Sequence, residues 1–131
     1  MIQCIMLIDD NKTDNFFHER AIKKFNPGIE IITYLSANDA LEHLNSDTKV
    51  PDVIFLDINM PGMTGWEFLE EYNKISHGKP KSLIITMLST SENPDDMGKA
   101  KNYGVFFKSK PLTLEMLSET ADHYRAFKEA L

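Results

Sequence analysis

Short apolar runs recur along this chain and alternate with longer segments in which apolar residues are spaced by about one helical turn. The first run, at residues 2–8, is rich in branched side chains, is too short for a helix and is followed by two aspartates. These features predict a buried central strand. Similar runs predict four more strands, at residues 30–35, 53–56, 82–87 and 105–107.

The segments between these runs have the periodicity of helices that pack on one face. Apolar side chains recur at Phe16, Phe17, Ala21 and Phe25, at Ala37, Leu41 and Leu44, and at Trp66, Leu69 and Ile75. A further helix is predicted at residues 95–103, and a last one from Thr113 toward the carboxyl end. Strand and helix therefore alternate through five units, which predicts a single domain over residues 1–131.

Capping residues mark where these helices begin and end. At two predicted starts a hydroxyl residue precedes an acid by three positions, the spacing at which the two side chains satisfy each other's backbone amides. These pairs are Thr64 with Glu67 and Ser36 with Asp39. Asn93, followed by a proline, marks another start. Helix ends are predicted at the Pro27-Gly28 pair, the His77-Gly78 pair and Gly104.

The alternation of strands and helices also predicts how the strands are arranged. Strands that are apolar on both faces and are joined by helices predict a parallel sheet covered on two sides, with right-handed crossovers. Sheets of this kind bind ligands beyond the carboxyl ends of their strands. Residues that directly follow the strands are therefore expected to meet at one edge of the sheet.

Composition and charge exclude several classes of function. The chain has 131 residues, 42% of them hydrophobic and 26% charged, and its apolar runs are shorter than the roughly 20 residues that a membrane helix needs. A net charge of −6 disfavours a nucleic-acid partner. The single cysteine, Cys4, excludes an internal disulfide and is expected to be a buried reduced thiol. We therefore expect a cytoplasmic protein with no membrane or nucleic-acid partner and no export signal.

Polar side chains with related chemistry follow four of the predicted strands. Paired acids at such a position repel each other unless a cation or a proton intervenes, and clustered carboxylates suit Mg²⁺. The sequence therefore predicts a divalent metal site at this edge of the sheet. In chain order, the side chains are Asp9 and Asp10 after the first strand, Asp57 after the third, Ser89 and Thr90 after the fourth, and Lys110 with Pro111 after the fifth.

Asp57 is the best placed nucleophile of this set. A metal-bound carboxylate beside a lysine can attack phosphorus, because the cation and the ammonium offset charge on the transferring phosphoryl oxygens. Asp57 begins a loop, residues 57–65, with one proline and two glycines, a composition that lets backbone groups approach a ligand. The backbone carbonyl of Asn59 is expected to complete the metal shell.

In this order, these residues resemble the receiver domain of two-component response regulators. The resemblance covers essentially the whole chain and implies a single-domain, chemotaxis-receiver-like protein. It implies a flavodoxin-like α/β fold, a doubly wound five-stranded parallel sheet with flanking helices and strand order 2-1-3-4-5. It also implies that Asp57 is the phosphoacceptor, that Asp9 and Asp10 hold Mg²⁺ directly or through water, and that Lys110 contacts the phosphoryl group. The matching motifs are Asp9-Asp10, Asp57 with the Met60-Pro61-Gly62 turn, Ser89-Thr90 and Lys110-Pro111.

The resemblance further implies a switching mechanism and a set of partners. Ser89 takes the place of the family's switching hydroxyl, and Phe107, itself also a candidate core residue, stands where an aromatic side chain follows that hydroxyl. The Lys110-Pro111 bond is commonly cis in the family. A sensor histidine kinase or histidine phosphotransfer protein is the expected donor. With no output domain expected, the output is binding to an unknown protein target, by a monomer or a phosphorylation-dependent dimer.

Two other classes of function stay open at this point. An aspartate-based phosphohydrolase usually needs a second acid two residues after its nucleophile, where this chain has Asn59. A pseudo-receiver would bind a partner without phosphorylation, which the complete set of acids, hydroxyl and lysine disfavours. The histidines lack metal-ligand spacing and are expected to be solvated side chains. They are His18, His43, His77 and His123.

Overall fold

Five strands and five helices alternate along the part of the chain that the structure, a computed structural model, describes: residues 1–46, 49–75 and 81–131. The predicted alternation is therefore confirmed. The elements are β1 (Cys4–Ile8), α1 (Lys12–Phe25), β2 (Glu30–Tyr34), α2 (Ala37–Asn45), β3 (Val53–Asp57), α3 (Gly65–Ile75), β4 (Ile84–Ser89), α4 (Pro94–Tyr103), β5 (Phe106–Ser109) and α5 (Leu114–Ala130).

The strands form one parallel sheet in the order β2-β1-β3-β4-β5, which confirms the predicted order. The register places Asp57 beside Leu88 and Ser89 beside Ser109, so neighbouring strands end at the same level. We call this edge of the sheet, where Ile8, Asp57, Ser89 and Ser109 end their strands, the carboxyl rim. Side chains that end or follow these strands are thereby brought together.

Two apolar clusters cover the two faces of the sheet. Successive residues of a strand point to opposite faces, so Met6 belongs to the cluster packed by α2 and α3, while Ile5 and Leu7 belong to the cluster packed by α1 and α5. Strands β1 and β3 are wholly buried, but the edge strands β2 and β5 are only partly buried. Apolar residues of the edge strands nevertheless pack against both clusters, Ile31 and Phe106 against one and Ile32 and Phe107 against the other. The expectation of strands apolar on both faces therefore holds, with less burial at the edges of the sheet.

Side-chain caps begin the helices where the sequence predicts them. The Thr64 amide donates to the Glu67 carboxylate at 3.0 Å, and the Glu67 amide donates to the Thr64 hydroxyl at 3.2 Å. The Asn93 side chain accepts from the Asp95 amide at the start of α4, and Thr113 caps α5. These bonds satisfy backbone donors that have no partner within a helix.

The predicted helix ends are also found where the structure describes them. Helix α1 ends at Phe25, directly before the cap Asn26 and the Pro27-Gly28 pair. Gly104 ends α4 with φ 71°, a left-handed conformation that glycine adopts without a steric penalty. The end predicted at His77-Gly78 lies outside the described residues.

Helix α1 buries two polar side chains and exposes two of its phenylalanines. Phe16 and Phe17 are each 54% exposed, whereas Asn15, His18 and Ile22 are buried. The Asn15 side-chain amide donates at 3.0 Å to the backbone carbonyl of Asp9, which follows β1. This hydrogen bond satisfies the buried polar group of Asn15 and allows it to face the sheet. The expectation of a packed face is therefore wrong for Phe16 and Phe17, whereas Ala21 and Phe25 do pack against the core. The expectation of a solvated His18 is also wrong.

The structure bears on two expectations drawn from composition. Cys4 is a free, buried cysteine in β1, as predicted, and burial, with a smaller contribution from the nearby Glu30 charge, raises the pKa of its thiol to about 11. Among the helices of the described residues, none is both long enough and apolar enough to cross a membrane.

Candidate functional site

The carboxyl rim gathers four chemically active side chains from different parts of the chain. Asp9 follows β1, Asp57 ends β3, Ser89 ends β4 and Lys110 follows β5. Asp9, Asp57 and Ser89 are buried, and only 10% of the Lys110 side chain is exposed. Lys110 and Asp9 are separated by 101 positions in the sequence, so the parallel sheet brings them into contact.

Three carboxylates at the rim lie close enough to share one cation. Asp9, Asp10 and Asp57 each offer an oxygen, and these oxygens lie within 4.8 Å of one another. Asp10 is exposed while the other two are buried, an arrangement that fits Mg²⁺, since this ion binds few carboxylates and keeps several waters. The donor set therefore fits the predicted metal. Asn59 is exposed in the loop after β3, and the metal role of its carbonyl stays a prediction.

The surroundings of Asp57 raise its pKa to about 6. Burial is the largest cause and repulsion by Asp9 follows, with a smaller contribution from Asp10, while the attraction of Lys110 only partly offsets them. At neutral pH the carboxylate is therefore ionised but poorly stabilised by its surroundings. A cation bound beside it would stabilise the ionised form.

The ammonium group of Lys110 contacts three carboxylates. Its Nζ lies 2.7 Å from Asp9 Oδ2, 2.9 Å from Asp14 Oδ2 and 3.3 Å from Asp57 Oδ1. Burial alone would lower the pKa of Lys110, but hydrogen bonds to Asp9 and Asp14 raise it above its ordinary value. Lys110 is therefore a fixed positive charge beside the acids, as the sequence predicts.

Asp14 is a fourth acid at the rim, outside the predicted set. It lies in the first turn of α1, where the Asn11 side chain accepts from the Thr13 and Asp14 amides at 2.9 and 3.1 Å. Asn11 is a capping residue that could have located this helix start in the sequence. The contact of Asp14 with Lys110 joins residues 96 positions apart, so it depends on the fold.

The loop after β3 packs closely against Asp57. A Cβ atom on Gly65 would lie 2.6 Å from the carbonyl oxygen of Asp57 and 3.1 Å from the Cα atom of Ile58. The Gly65 amide also donates to the Ile58 carbonyl at 2.8 Å. Gly62 has φ 82°, in the region that favours glycine. Gly62 therefore permits the turn of the predicted loop, and Gly65 permits the close approach of the loop to the Asp57 backbone.

Ser89 and Lys110 are joined through the backbone at the rim. The Lys110 amide donates to the Ser89 carbonyl at 2.8 Å, and the Ser89 hydroxyl accepts from the Ser91 amide at 3.0 Å. The Lys110-Pro111 peptide bond is cis. Phe107 is partly buried and packs against one of the two apolar clusters. The switching roles of Ser89 and Phe107 stay predictions.

A hollow of about 470 Å³ opens beside Lys110. Thr90 lies on the wall of this hollow. Burial, the largest cause, lowers the pKa of His18, which favours a neutral imidazole at this wall at neutral pH. Lys110 also lines this hollow, so solvent reaches the lysine through it. Its lining residues are Asp14, Phe17, His18, Thr90, Lys110 and Pro111.

The other histidines lie away from the acid cluster where the structure describes them. His43 is partly buried and has ring contacts of 2.7 Å with the Tyr34 hydroxyl and 2.9 Å with the Lys49 carbonyl, so the expectation of a solvated ring is wrong there. His123 is exposed, as expected, and its ring stacks on Phe106. His77 lies outside the described residues.

The response regulator receiver domain model matches residues 5–122 of this chain. PilG from Pseudomonas aeruginosa is 32% identical over 114 residues, which cover 86% of this chain and 80% of PilG. The sensor histidine kinase CheAY from Helicobacter pylori is 30% identical over 115 residues, which cover 87% of this chain and 14% of CheAY. This chain thus corresponds to a small part of that relative.

Solved structures give the same result. A two-component response regulator from Cytophaga hutchinsonii superposes with a TM-score of 0.83 at 30% identity, and the match covers 95% of this chain and 98% of that one. This chain therefore belongs to the response regulator receiver domain family of two-component signalling systems.

Proposed function

We propose that this chain is a stand-alone receiver that accepts a phosphoryl group on Asp57, with Mg²⁺ held by Asp9, Asp10, Asp57 and the Asn59 carbonyl. The observation that carries the proposal is the position of Lys110, whose Nζ lies 3.3 Å from Asp57 Oδ1 beside carboxylate oxygens within 4.8 Å of one another. A buried carboxylate between an ammonium and a cation site can act as a nucleophile toward phosphorus.

The proposed donor is a phosphohistidine of a sensor histidine kinase or of a histidine phosphotransfer protein. A carboxylate oxygen of Asp57 supplies the electron pair of the new P–O bond. The P–N bond breaks, its electron pair stays on the imidazole nitrogen, and that nitrogen takes up a proton. Lys110 and Ser89 donate hydrogen bonds to the phosphoryl oxygens in this proposal, and bound Mg²⁺ would supply further positive charge there.

The acyl phosphate on Asp57 is the proposed signal. Its charge and acceptor oxygens would draw the Ser89 hydroxyl away from the Ser91 amide, which it contacts at 3.0 Å. Phe107 would then turn into the space left near the end of β4. This change shifts an existing equilibrium at the face formed by α4, β5 and α5, where another protein binds.

The surface around the hollow supports a protein as the donor. Phe17 lines the hollow beside Lys110, and both Phe17 and its neighbour Phe16 are exposed. Exposed aromatic side chains beside a reactive centre are typical of protein-binding surfaces. The overall charge of −6 favours such a partner over nucleic acid.

We further propose that residues 1–131 act as a receiver in the cytoplasm, as a monomer or a phosphorylation-dependent dimer. The match to PilG supports a protein of this kind, since it covers 80% of that relative. In CheAY the matching part is 14% of a longer protein. Signalling by binding, rather than turnover of a substrate, is therefore the proposed output.

Replacement of Asp57 tests the proposal directly. Asp57→Asn is expected to abolish labelling by acetyl phosphate or phosphoramidate in Mg²⁺, because an amide cannot accept the phosphoryl group. Intact-mass spectrometry measures the label. Asp122→Asn is the matched control, since it changes an exposed acid on α5 that pairs with Arg125, and it should label as the wild type does. Undiminished label on Asp57→Asn, mapped to another residue, would reject the assignment.

Two further measurements separate the alternatives. Steady turnover of p-nitrophenyl phosphate would favour an aspartate-based phosphohydrolase over a phosphoacceptor. A wild-type protein that shows no Mg²⁺-dependent change on addition of beryllofluoride, a stable mimic of the phosphoryl group, would favour a pseudo-receiver. The proposal predicts beryllofluoride binding and an absence of steady turnover.

A further inference from the structure

One close contact of Lys110 has no part in the chemistry proposed above. Its Nζ lies 2.9 Å from Asp14 Oδ2, closer than the 3.3 Å to Asp57 Oδ1. An ammonium has three N–H donors, and Lys110 has three carboxylate neighbours. A phosphoryl group on Asp57 must therefore share the ammonium with Asp9 and Asp14.

We infer that Asp14 is a positioning residue that holds Lys110 toward α1 and thereby limits how tightly the site binds the phosphoryl group. The inference rests on the proposed function, since it concerns the same lysine and the same acceptor. It assigns a role to an acid that neither the strand-end pattern nor the predicted metal set contains. Asp14 acts through Lys110 and does not itself touch the phosphoryl group.

Asp9 and Asp14 hold the lysine in different ways. Asp9 is buried, belongs to the acid cluster and accepts from the Asn11 amide through its other oxygen at 3.0 Å. Asp14 is outside that cluster, and a third of its side chain is exposed. Water can therefore replace Lys110 at the Asp14 carboxylate at a low cost in free energy. Asp14 is the partner that Lys110 can leave when an anion binds.

The start of α1 fixes where Asp14 lies. The Asn11 side chain accepts from the Asp14 amide at 3.1 Å, so the backbone of Asp14 is held at the helix terminus. The Asp14 side chain then contacts Lys110, and both residues line the hollow. This geometry restrains the ammonium on the solvent side of the site, while Asp9 restrains it on the buried side.

Two effects of removing the Asp14 carboxylate act in the same direction. The amide that replaces the carboxylate holds Lys110 less strongly, so the ammonium can move toward oxygens on Asp57, and a negative charge that repels the incoming anion is lost. Water screens a partly exposed acid, so the change is moderate. Asp14→Asn is therefore expected to bind beryllofluoride about three- to tenfold more tightly than the wild type at a fixed Mg²⁺ concentration.

The experiment is a beryllofluoride titration of the full chain, followed by calorimetry, in the wild type and three variants. Asp14→Glu keeps a carboxylate and is expected to stay within about twofold of the wild-type affinity. Glu19→Gln removes an acid from the same helix that pairs with Lys23 at 3.1 Å, and it should leave the affinity unchanged. The third variant is Asp14→Asn.

Two readouts separate positioning from a general structural effect. The Mg²⁺ affinity without beryllofluoride should not rise in Asp14→Asn, because loss of an acid adds no attraction for a cation. Nitrogen NMR of the Lys110 ammonium should show faster hydrogen exchange with water in the unliganded Asp14→Asn protein, because an uncharged amide oxygen holds the ammonium less strongly than a carboxylate does. Asp14→Glu should restore the slow exchange.

The outcomes distinguish this inference from the function on which it rests. Tighter beryllofluoride binding by Asp14→Asn, reversed by Asp14→Glu, supports the inference. Unchanged or weaker binding by Asp14→Asn, or a gain in Mg²⁺ affinity as well, overturns it and leaves phosphorylation of Asp57 intact. A wild-type protein that does not bind beryllofluoride in Mg²⁺ overturns both.

Discussion

Among single residues, Asp57 shows how strongly the fold changes the proton affinity of a carboxylate. Burial and neighbouring acids raise its pKa from 3.8 to about 6, although Lys110 lies 3.3 Å away. The folded protein therefore binds this proton more tightly than the unfolded chain does. The resulting contribution to stability is complete below pH 3.8 and is lost as the pH rises through about 6. At neutral pH the ionised Asp57 destabilises the metal-free protein.

Asp57→Asn is accordingly expected to stabilise the metal-free protein by about 1–2 kcal/mol at about pH 7.5, because the amide carries no charge to be buried. Lys110 keeps Asp9 and Asp14 as partners in this variant. The gain should shrink as the pH falls through about 6 toward 4. Urea unfolding in a chelating buffer at several pH values measures it. A loss of stability at neutral pH would contradict the expected sign.

The residues that sequence reasoning located at the site are those that directly follow or end strands. Asp14 was missed because its partner is 96 positions away. His18 was placed wrongly because polar residues on a helix are usually exposed. Asn15 faces inward because its amide contacts the backbone carbonyl at the end of β1, and the orientation of that carbonyl depends on the folded sheet.

At the scale of elements, the start of α3 lies against the end of β3 with no space for a side chain. A Cβ atom on Gly65 would lie 2.6 Å from the Asp57 carbonyl oxygen and 2.8 Å from the Met87 side chain. The first of these neighbours is backbone of a central strand and cannot move without shifting Asp57. The start of α3 and the backbone of Asp57 are therefore coupled through direct contact.

Gly65→Ala is expected to destabilise the protein by about 1–3 kcal/mol, because the new methyl group overlaps the backbone of β3. Gly98→Ala offers a matched control, since Gly98 lies within α4 and a Cβ atom there has no contact within 4 Å. That change should stabilise the protein by about 0.5–1 kcal/mol, because alanine favours the helix. Urea unfolding of both variants gives the comparison, and a destabilised Gly98→Ala or a neutral Gly65→Ala would not fit this packing.

Helices α3 and α4 are joined by the single tryptophan. The Trp66 indole N–H donates to Asp96 at 3.1 Å, and its ring stacks on Tyr103 with centroids 5.7 Å apart. Trp66 directly follows Gly65, the residue that contacts the Asp57 backbone. Its periodicity in the sequence indicated a packed residue. The hydrogen bond to α4 could not be anticipated, since it depends on how the two helices lie on the same face of the sheet.

At the scale of the whole molecule, the sequence predicts the order of elements because each apolar run and each cap acts locally. The family resemblance then implies the strand order, which the sheet confirms. The site follows from these two facts, since parallel strands end at one rim. The same arrangement lowers the stability of the folded protein, because acids from separate strands are brought together and their negative charges repel one another. A bound cation would offset this repulsion and so stabilise the folded protein.

Mg²⁺ is therefore expected to stabilise the entire domain, since it binds the folded acid cluster and not the dispersed acids of the unfolded chain. At a concentration tenfold above its dissociation constant, the gain is about 1.4 kcal/mol, or about 4–6 °C in the midpoint of thermal unfolding. Asp9→Asn and Asp57→Asn should each show a smaller shift, because each replaces a charged carboxylate of the cluster with a neutral amide. Asp39→Asn, which changes an exposed acid in the first turn of α2, should respond as the wild type does. Differential scanning calorimetry at constant ionic strength separates binding at the rim from general screening of the charge of −6, since screening would shift all four proteins equally.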